Sequence, residues 1–569
     1  MDEYGPPLIP RRGGAQRLAQ RASLAPWALL AVPLAFVLLF LAYPLQNILR
    51  QSLFGESASL DDLRPLWRDS YYLQRLWFTT WQAGVSTAIT LGLAMPCAYV
   101  FSHFNFRGKG LLLSVVTIPF VLPTVVVAVA LSALLGPSGL VNSALLQLPG
   151  VHAAPLDLSN SIWLILVAHV FYNVALAARV IGASWATIDQ RIGEAGAILG
   201  AGPLRRFARI TLPQLRPAIL ASGSLVFLFC FTSFGVILIL GGPHYSTIET
   251  EIYRELVFLF RPPLAASLAL IQLAVTFGFL AVYSHLSQSA GGSSTARRPQ
   301  NRASRRARTA AATIVILLLA FTVAPLLALV ERSVHSSGGY TLEFYRSLGE
   351  NTRRQALFIT PIRAIWNSLS FAAIATTLAL PLGTLTAYGV QKLRRRLGSL
   401  VEAFLLLPLG VSAITLGLGF IITFDEAPLN LRGTRWLLIV AHTLAAYPFV
   451  TRAVGAQLRS IDPRLREAAR VLGESSAGVF LRVDLPLIWR SIVVGAVFAF
   501  ATSMGEFGAT LLIARPEWPT LPLAIFRYLG QPGELNYGQA LAMSTILMAV
   551  TGAGFVVIDR LRVRQLGTF

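Results

Sequence analysis

The sequence predicts an all-α polytopic membrane protein built from two parallel six-helix repeats. Three observations carry that prediction. Of the 569 residues, 55% are hydrophobic and 13% charged, with a mean hydropathy of +0.63, a balance outside the range of ordinary soluble domains. Twelve apolar runs are long enough to cross about 30 Å of hydrocarbon as helix. The second half of the chain also repeats the first at nearly constant spacing.

The runs lie at 25–45, 76–102, 111–135, 161–180, 217–241, 264–285, 310–330, 365–390, 401–423, 436–451, 491–513 and 539–558. The first is too long for the h-region of a signal peptide and no A-x-A site follows it, so it reads as an anchor. The fourth and tenth are short and carry His169 and His442. With the N-terminus cytoplasmic, 32 of the 47 Lys and Arg fall on the inside, counting Arg179 at the inner end of the fourth span. The positive-inside rule therefore orients the chain with both termini in the cytoplasm. Trp77, Trp81, Trp163, Trp366 and Trp436, near span ends, read as interface belts. The expected organisation is a basic tail at 1–24, a first permease domain at 25–286, an Arg-rich linker at 287–309, a second permease domain at 310–558 and a tail at 559–569. The linker's composition buries no core and suits a tether resting on anionic lipid.

The net charge of +21 is explained by these loops, and with no basic face or nucleic-acid motif it does not indicate nucleic acid. Cys97 and Cys230 sit in apolar runs without metal-ligand or disulfide spacing, which argues for no metal site.

The repeat fixes which residues correspond. Val167-Ala168-His169 recurs as Val440-Ala441-His442, Arg179 as Arg452, Asp189 as Asp462, and Phe234-Gly235 as Phe507-Gly508, all 273 residues apart. Upstream the spacing is 289, pairing Trp77 with Trp366, Tyr99 with Tyr388 and Pro119 with Pro408. The first half thus carries about 16 extra residues in its 136–160 loop. An even number of crossings separates the copies, so they are parallel repeats about an axis along the membrane normal.

The best-matched stretch is the inside loop after the fourth span, EAGAILGAGPLRRFARITLP at 194–213, and its copy EAARVLGESSAGVFLRVDLP at 467–486. Each reads as a short helix with Asp189 or Asp462 at the N-cap and Gly200 or Gly473 just past its end. Ile192, Ala195 and Ile198, or Leu465, Ala468 and Leu472, form one small, apolar face, as a docking helix requires.

These loops resemble the E-A-A-x3-G-x9-I-x-L-P signature of binding-protein-dependent ABC importer permeases. The first copy departs at Gly196, where the signature has Ala, and the second at Val483, where it has Ile. The resemblance implies a type I importer permease fold and a non-catalytic chain in the bacterial inner membrane. It implies that each loop seats in a groove of a homodimeric ATPase, with Glu194, Ala195, Gly200, Leu212 and Pro213, and Glu467, Ala468, Ala469, Gly473, Leu485 and Pro486, at the coupling contacts. A periplasmic or lipid-anchored solute-binding protein would deliver the cargo. The chain has no G-x4-G-K-[ST] loop, Gly108-Lys109 being followed by Gly110, so ATP and Mg belong to the partner ATPase and this chain is expected to bind no cofactor.

Glu506 lies within the eleventh run, where an unpaired carboxylate costs about 3 kcal/mol. It is a candidate for the translocation path, with Ser233 as its repeat partner; His169 and His442 either line that path or bond a neighbouring helix. Two-half fusions of this kind resemble permeases for thiamine and for iron(III). DSYYLQRLWFTTWQAGVSTAIT from Asp69, LVAHVFYNVALAARV from Leu166, and FLFCFTSFGVILILGG from Phe227 with the TIETEIYREL that follows are similar to thiamine permeases, the first expectation, with iron(III) second. A secondary transporter driven by an ion gradient is the rival class. Its G-x3-D-R-x-G-R-R loop pattern does not match HFNFRGKG or QKLRRRLG.

Overall fold

In lipid, backbone N–H and C=O groups find no water, so a spanning chain satisfies them within helices. The computed structural model describes residues 26–54, 66, 68–149, 155–290, 304–350, 359–425 and 429–566, and among these the only strands form a short hairpin, His335–Ser336 with Gly339–Tyr340. Ten helices are long and apolar enough to cross a membrane. They account for every predicted run except the ninth, which contains the shorter apolar helix Ala413–Phe424, and the twelfth, which lies in Glu534–Leu566. The N-terminal tail 1–24 lies outside the described residues, while helix Glu534–Leu566 runs through most of the predicted C-terminal tail, 559–569. The flanking helices Pro262–Ala290 and Arg305–Ser333 reach into both ends of the segment 287–309, and Ser304 caps the second by accepting from the Ala307 N–H at 3.3 Å.

Four predicted runs are broken rather than continuous, and they are equivalent pairs. The third divides into Lys109–Val121 and Thr124–Leu135, the ninth into Arg395–Leu405 and Ala413–Phe424. Pro123 and Pro408 stand in these breaks; each lacks an N–H, and Leu122 before Pro123 is extended, as the proline ring demands. The fifth run divides into Leu212–Phe231 and Gly235–Leu240, the eleventh into Leu485–Gly505 and Gly508–Ile513. Irregular backbone at membrane depth is tolerated where protein covers it.

The halves exchange their first helices. Leu30, Val37 and Leu41 of the first span join the second-half core with Phe371, Phe420 and Tyr447. Two glycines make room: a Cβ on Gly389 would lie 2.7 Å from Leu30 Cγ, and one on Gly419 would lie 3.0 Å from Pro44 Cβ. Asn47 Nδ2 donates to Thr423 Oγ1 at 3.2 Å. In return the seventh span places Leu318 and Leu329 in the first-half core with Val125 and Val129, and Phe321 meets Phe171 edge-on at 5.8 Å. The five belt tryptophans are exposed, and on the predicted topology all lie toward the outer ends of their spans.

Candidate functional site

The two predicted docking helices are present and nearly superimposable in their local chemistry. They span Gln190–Ile198 and Pro463–Val471. Asp189 Oδ1 accepts from the Arg191 N–H at 3.0 Å, and Asp462 Oδ1 from the Arg464 N–H at the same distance. At the other end Gly200 and Gly473 take φ of +80° and +91°. The N–H groups of Gly200 and Ala201 return to Ala197 O and Gly196 O, and those of Gly473 and Glu474 to Arg470 O and Ala469 O, each at 3.0 Å. This paired closure satisfies the last carbonyls of a helix and needs the left-handed residue that glycine supplies.

Glu194, Ala195, Glu467 and Ala468 are exposed and Ala469 is half-buried. The most accessible side chains are apolar and terminal: Ile198 is 86% exposed, Leu199 85%, Val471 87% and Leu472 85%. Leu199 and Val471 were not among the predicted face residues. Each dock continues through a wide helical turn, Phe207–Thr211 or Phe480–Asp484, into the long helix opened by Leu212-Pro213 or Leu485-Pro486. The two departures from the signature lie at one packing position. A Cβ on Gly196 would sit 2.7 Å from Ile210 Cδ1, and in the copy Ala469 and Val483 occupy the equivalent sites.

At the broken fifth and eleventh spans the halves meet across their pseudo-twofold axis. The rings of Phe234 and Phe507, equivalent residues, stack with centroids 5.8 Å apart. Beside them Gly235 abuts Thr124, Gly508 abuts Ala413 and Gly505 abuts Pro123, so each fifth-type break packs on a third-type break. Phe498 and Ser491 lie two and four turns below Gly505 on the same helix face. They line an open groove of about 460 Å³ with Phe449, Arg452 and Arg490.

Glu506 lies in the eleventh-span break. Its carboxylate accepts from the N–H groups of Ala509 at 2.9 Å and Thr510 at 3.0 Å, and from the Thr510 hydroxyl. It thus caps helix Gly508–Ile513, while its side chain borders a small cavity of about 70 Å³ against Pro408, Val411 and Ala413. His442 stands 3.6 Å from Glu506 Oε2 and hydrogen-bonds Ser503 Oγ at 2.8 Å and Thr510 Oγ1 at 3.1 Å. His169 is buried against Ser86 Oγ at 3.0 Å, and Ser233 is buried next to Phe234. The structure therefore brings Glu506 and His442 together but not His169 or Ser233 with them.

Sequence reasoning missed a second set of buried acids. Glu249, Glu251 and Glu255 lie on helix Ile248–Val257 and are at most 1% exposed. Tyr71 OH donates to Glu251 at 2.8 Å and Tyr72 OH to Glu255 at 2.7 Å. Glu249 accepts from Gln272 Nε2 and, across the halves, from Ser412 Oγ at 2.7 Å. The equivalent second-half helix, Leu521–Leu529, carries Pro522, Ala524 and Tyr528 at the corresponding positions. Glu249 and Glu506 thus flank the ninth-span break from two sides, at Ser412 and at Val411 and Ala413. Three acids within seven residues between two apolar runs were the available signal.

Over residues 84–291 and 379–564 the sequence matches the family described as binding-protein-dependent transport system inner membrane component, one match in each half. It is 27% identical over 521 residues to the thiamine transport system permease protein ThiP of Escherichia coli, covering 90% of this chain and 93% of that protein. ThiP of Brucella abortus is 27% identical over 85% of this chain and 87% of its own length. A probable ABC transporter permease of Sinorhizobium fredii, y4fN, is 26% identical over 94% and 96%. A bacterial ABC transporter for import of the acidic polysaccharide alginate aligns with a TM-score of 0.41 at 19% identity, over 48% of this chain and 98% of that one.

Proposed function

This chain belongs to the family of binding-protein-dependent transport system inner membrane components, as a fused two-half ABC importer permease, and we propose that the solute it passes is thiamine. Similarity to the thiamine permeases that runs through both halves carries this reading. The chemistry at the seam is compatible with it. Thiamine bears a permanent positive charge, and the buried carboxylates of Glu249 and Glu506 flank the ninth-span break, whereas their repeat equivalents are the uncharged Pro522 and Ser233. Carboxylates at membrane depth are costly unless paired, and they recur where cations pass.

In this reading both termini face the cytoplasm and the two permease domains, 25–286 and 310–558, stand side by side around the path. The docking helices face the cytoplasm, one on each subunit of a homodimeric ATPase that binds ATP and Mg. Their exposed ends, Ile198-Leu199 and Val471-Leu472, supply apolar contact, and Glu194 and Glu467 supply charge-assisted hydrogen bonds. ATP-driven approach of the ATPase subunits moves each dock, and the dock moves the long helix that begins at Leu212-Pro213 or Leu485-Pro486. Those helices end at Phe231 and Gly505, just before Phe234 and Phe507, so their rotation opens or closes the aromatic seam. In this reading the stacked rings close the path toward the outer side, and the groove beside Arg452 and Arg490 belongs to the inner side. A binding protein outside delivers the solute when the seam parts.

The test is uptake of radiolabelled thiamine into vesicles containing this chain with its own ATPase and binding protein. ATP-dependent uptake that survives a protonophore is expected. Uptake of a different solute in place of thiamine would overturn the substrate, and gradient-driven uptake without ATP would overturn the coupling.

A further inference from the structure

The two docks are alike in their own folds but not in how they are tied to the membrane helices. In the second half Asp484 is fully buried at the end of the turn Phe480–Asp484. Its Oδ1 accepts from Arg466 Nε of the docking helix at 2.7 Å, and its Oδ2 accepts from Tyr388 OH, at the inner end of the eighth span, at 3.1 Å. Arg466 also donates to Leu458 O near the end of the tenth span at 3.4 Å. Phe480 packs edge-on against Tyr388 at 5.1 Å, and Lys392 lies 4.4 Å over the same ring. One carboxylate thus joins the dock to the eighth and eleventh spans.

The surroundings make that carboxylate hard to replace. Arg466 holds it, Lys392 lies over the ring of its other partner, Tyr388, and burial together with the nearby Arg470 guanidinium pulls the Lys392 ammonium below its usual range. Without Asp484 three cations would face one another across a half-buried site, which favours separation of the elements that carry them.

The first half has none of this. At the four equivalent positions stand Gly193, Thr211, Tyr99 and His103. There Arg206 Nη1 donates to Gly193 O at 3.3 Å, while the Tyr99 ring lies 4.4 Å from His103 and meets Trp185 edge-on. A guanidinium on a neutral backbone carbonyl is a weaker link than an ion pair whose carboxylate is buried and held at both oxygens.

We propose that Asp484 is a positioning residue for coupling, transmitting movement of the second dock to the eighth and eleventh spans, so that the two halves respond unequally to ATPase closure. The proposal rests on the permease reading and its docking helices, and not on the identity of the solute. Its stiffness follows from geometry: a residue held at both carboxylate oxygens cannot move with one partner without pulling the other.

The experiment uses the complete transporter in lipid nanodiscs or vesicles. It reads ATPase co-purification, basal hydrolysis, hydrolysis stimulated by loaded binding protein, and solute moved per ATP. Asp484→Asn and Arg466→Gln should retain the ATPase and basal hydrolysis, with solute moved per ATP falling at least tenfold. Asp484→Glu, which keeps the charge, should recover most of the coupling. Thr211→Ala in the first half should stay within twofold of the parent. Unchanged solute per ATP in both Asp484→Asn and Arg466→Gln would overturn the proposal, as would loss of the ATPase itself in Arg466→Gln, since the contact would then hold the dock rather than transmit through it. An equal loss in Thr211→Ala would remove the asymmetry. Should Asp484→Asn fail to assemble, Arg466→Gln, whose side chain reaches solvent, decides alone. Ala substitution of Glu194 and Glu467 distinguishes a failure of the docking reading: if that double variant also keeps the ATPase, the docks themselves are misassigned.

Discussion

Phe234 and Phe507, equivalent residues in the two halves, stack on each other at 5.8 Å where the broken fifth and eleventh spans meet. Both rings are buried, and a Cβ on the neighbouring Gly235 would lie 3.3 Å from the Phe507 ring. A seam made of one ring from each half opens when the two elements that carry the rings move apart. Replacing both by Cys, in a background lacking Cys97 and Cys230, and bridging them with a short thiol crosslinker should stop transport, with recovery when the bridge is cleaved. Undiminished transport by the bridged protein would show that the path lies elsewhere.

Gly196 faces the end of the Ile210 side chain. Gly196→Ala places a methyl 2.7 Å from Ile210 Cδ1, an atom at the end of a flexible chain that can turn aside, and the signature itself pairs Ala with Ile at these positions. Replacing a helix-interior glycine by alanine is worth about 0.5–1 kcal/mol, so the variant should hold the ATPase on purification at least as well as the parent. A marked loss of ATPase retention would show that the Ile210 side chain is fixed in place and that the glycine is needed for packing.

Gly200 and Gly473 are held by backbone conformation and not by space, since a Cβ at either meets nothing within 4 Å. Gly473→Ala should therefore weaken docking by about 1 kcal/mol, roughly fivefold, through left-handed strain alone. Gly473→Asn, a residue that visits this region readily, should be milder. Equal losses would point to a steric contact with the ATPase instead.

The two loop helices were legible because all their signals lie within about twenty-five residues: the capping Asp, the left-handed Gly and the Leu-Pro that starts the next helix. The repeat made each copy a control on the other. The span breaks were marked by Pro123 and Pro408, yet hydropathy counts apolar residues and passes over a missing N–H. The exchange of first helices was not legible, because a helix apolar on all sides, such as Pro26–Ser52, matches lipid and either half equally well. The Glu249 to Ser412 bond was hidden for a related reason. Its partners are 163 residues apart and in different halves, so no local spacing announces them.

Glu506 and Glu249 separate two roles for a buried carboxylate. Glu506→Gln keeps one capping oxygen for helix Gly508–Ile513 and should insert normally, yet lower uptake about tenfold if a cation passes the ninth-span break. Glu249→Gln should behave alike, and Ser233→Ala should have little effect. The check is initial uptake rate at matched expression. Normal rates in both Gln variants would leave these carboxylates as helix-packing groups.

The most direct test of the account is retention of the ATPase by a variant with Glu194→Ala and Glu467→Ala together. Both side chains are exposed at the docks, so insertion should survive. Each loss should weaken binding by about 2 kcal/mol, roughly thirtyfold per site. Co-purification of the ATPase should therefore fall in either single variant and vanish in the double, along with hydrolysis stimulated by loaded binding protein. A double variant that still holds the ATPase and couples normally would contradict the assignment of these two loops as the docks.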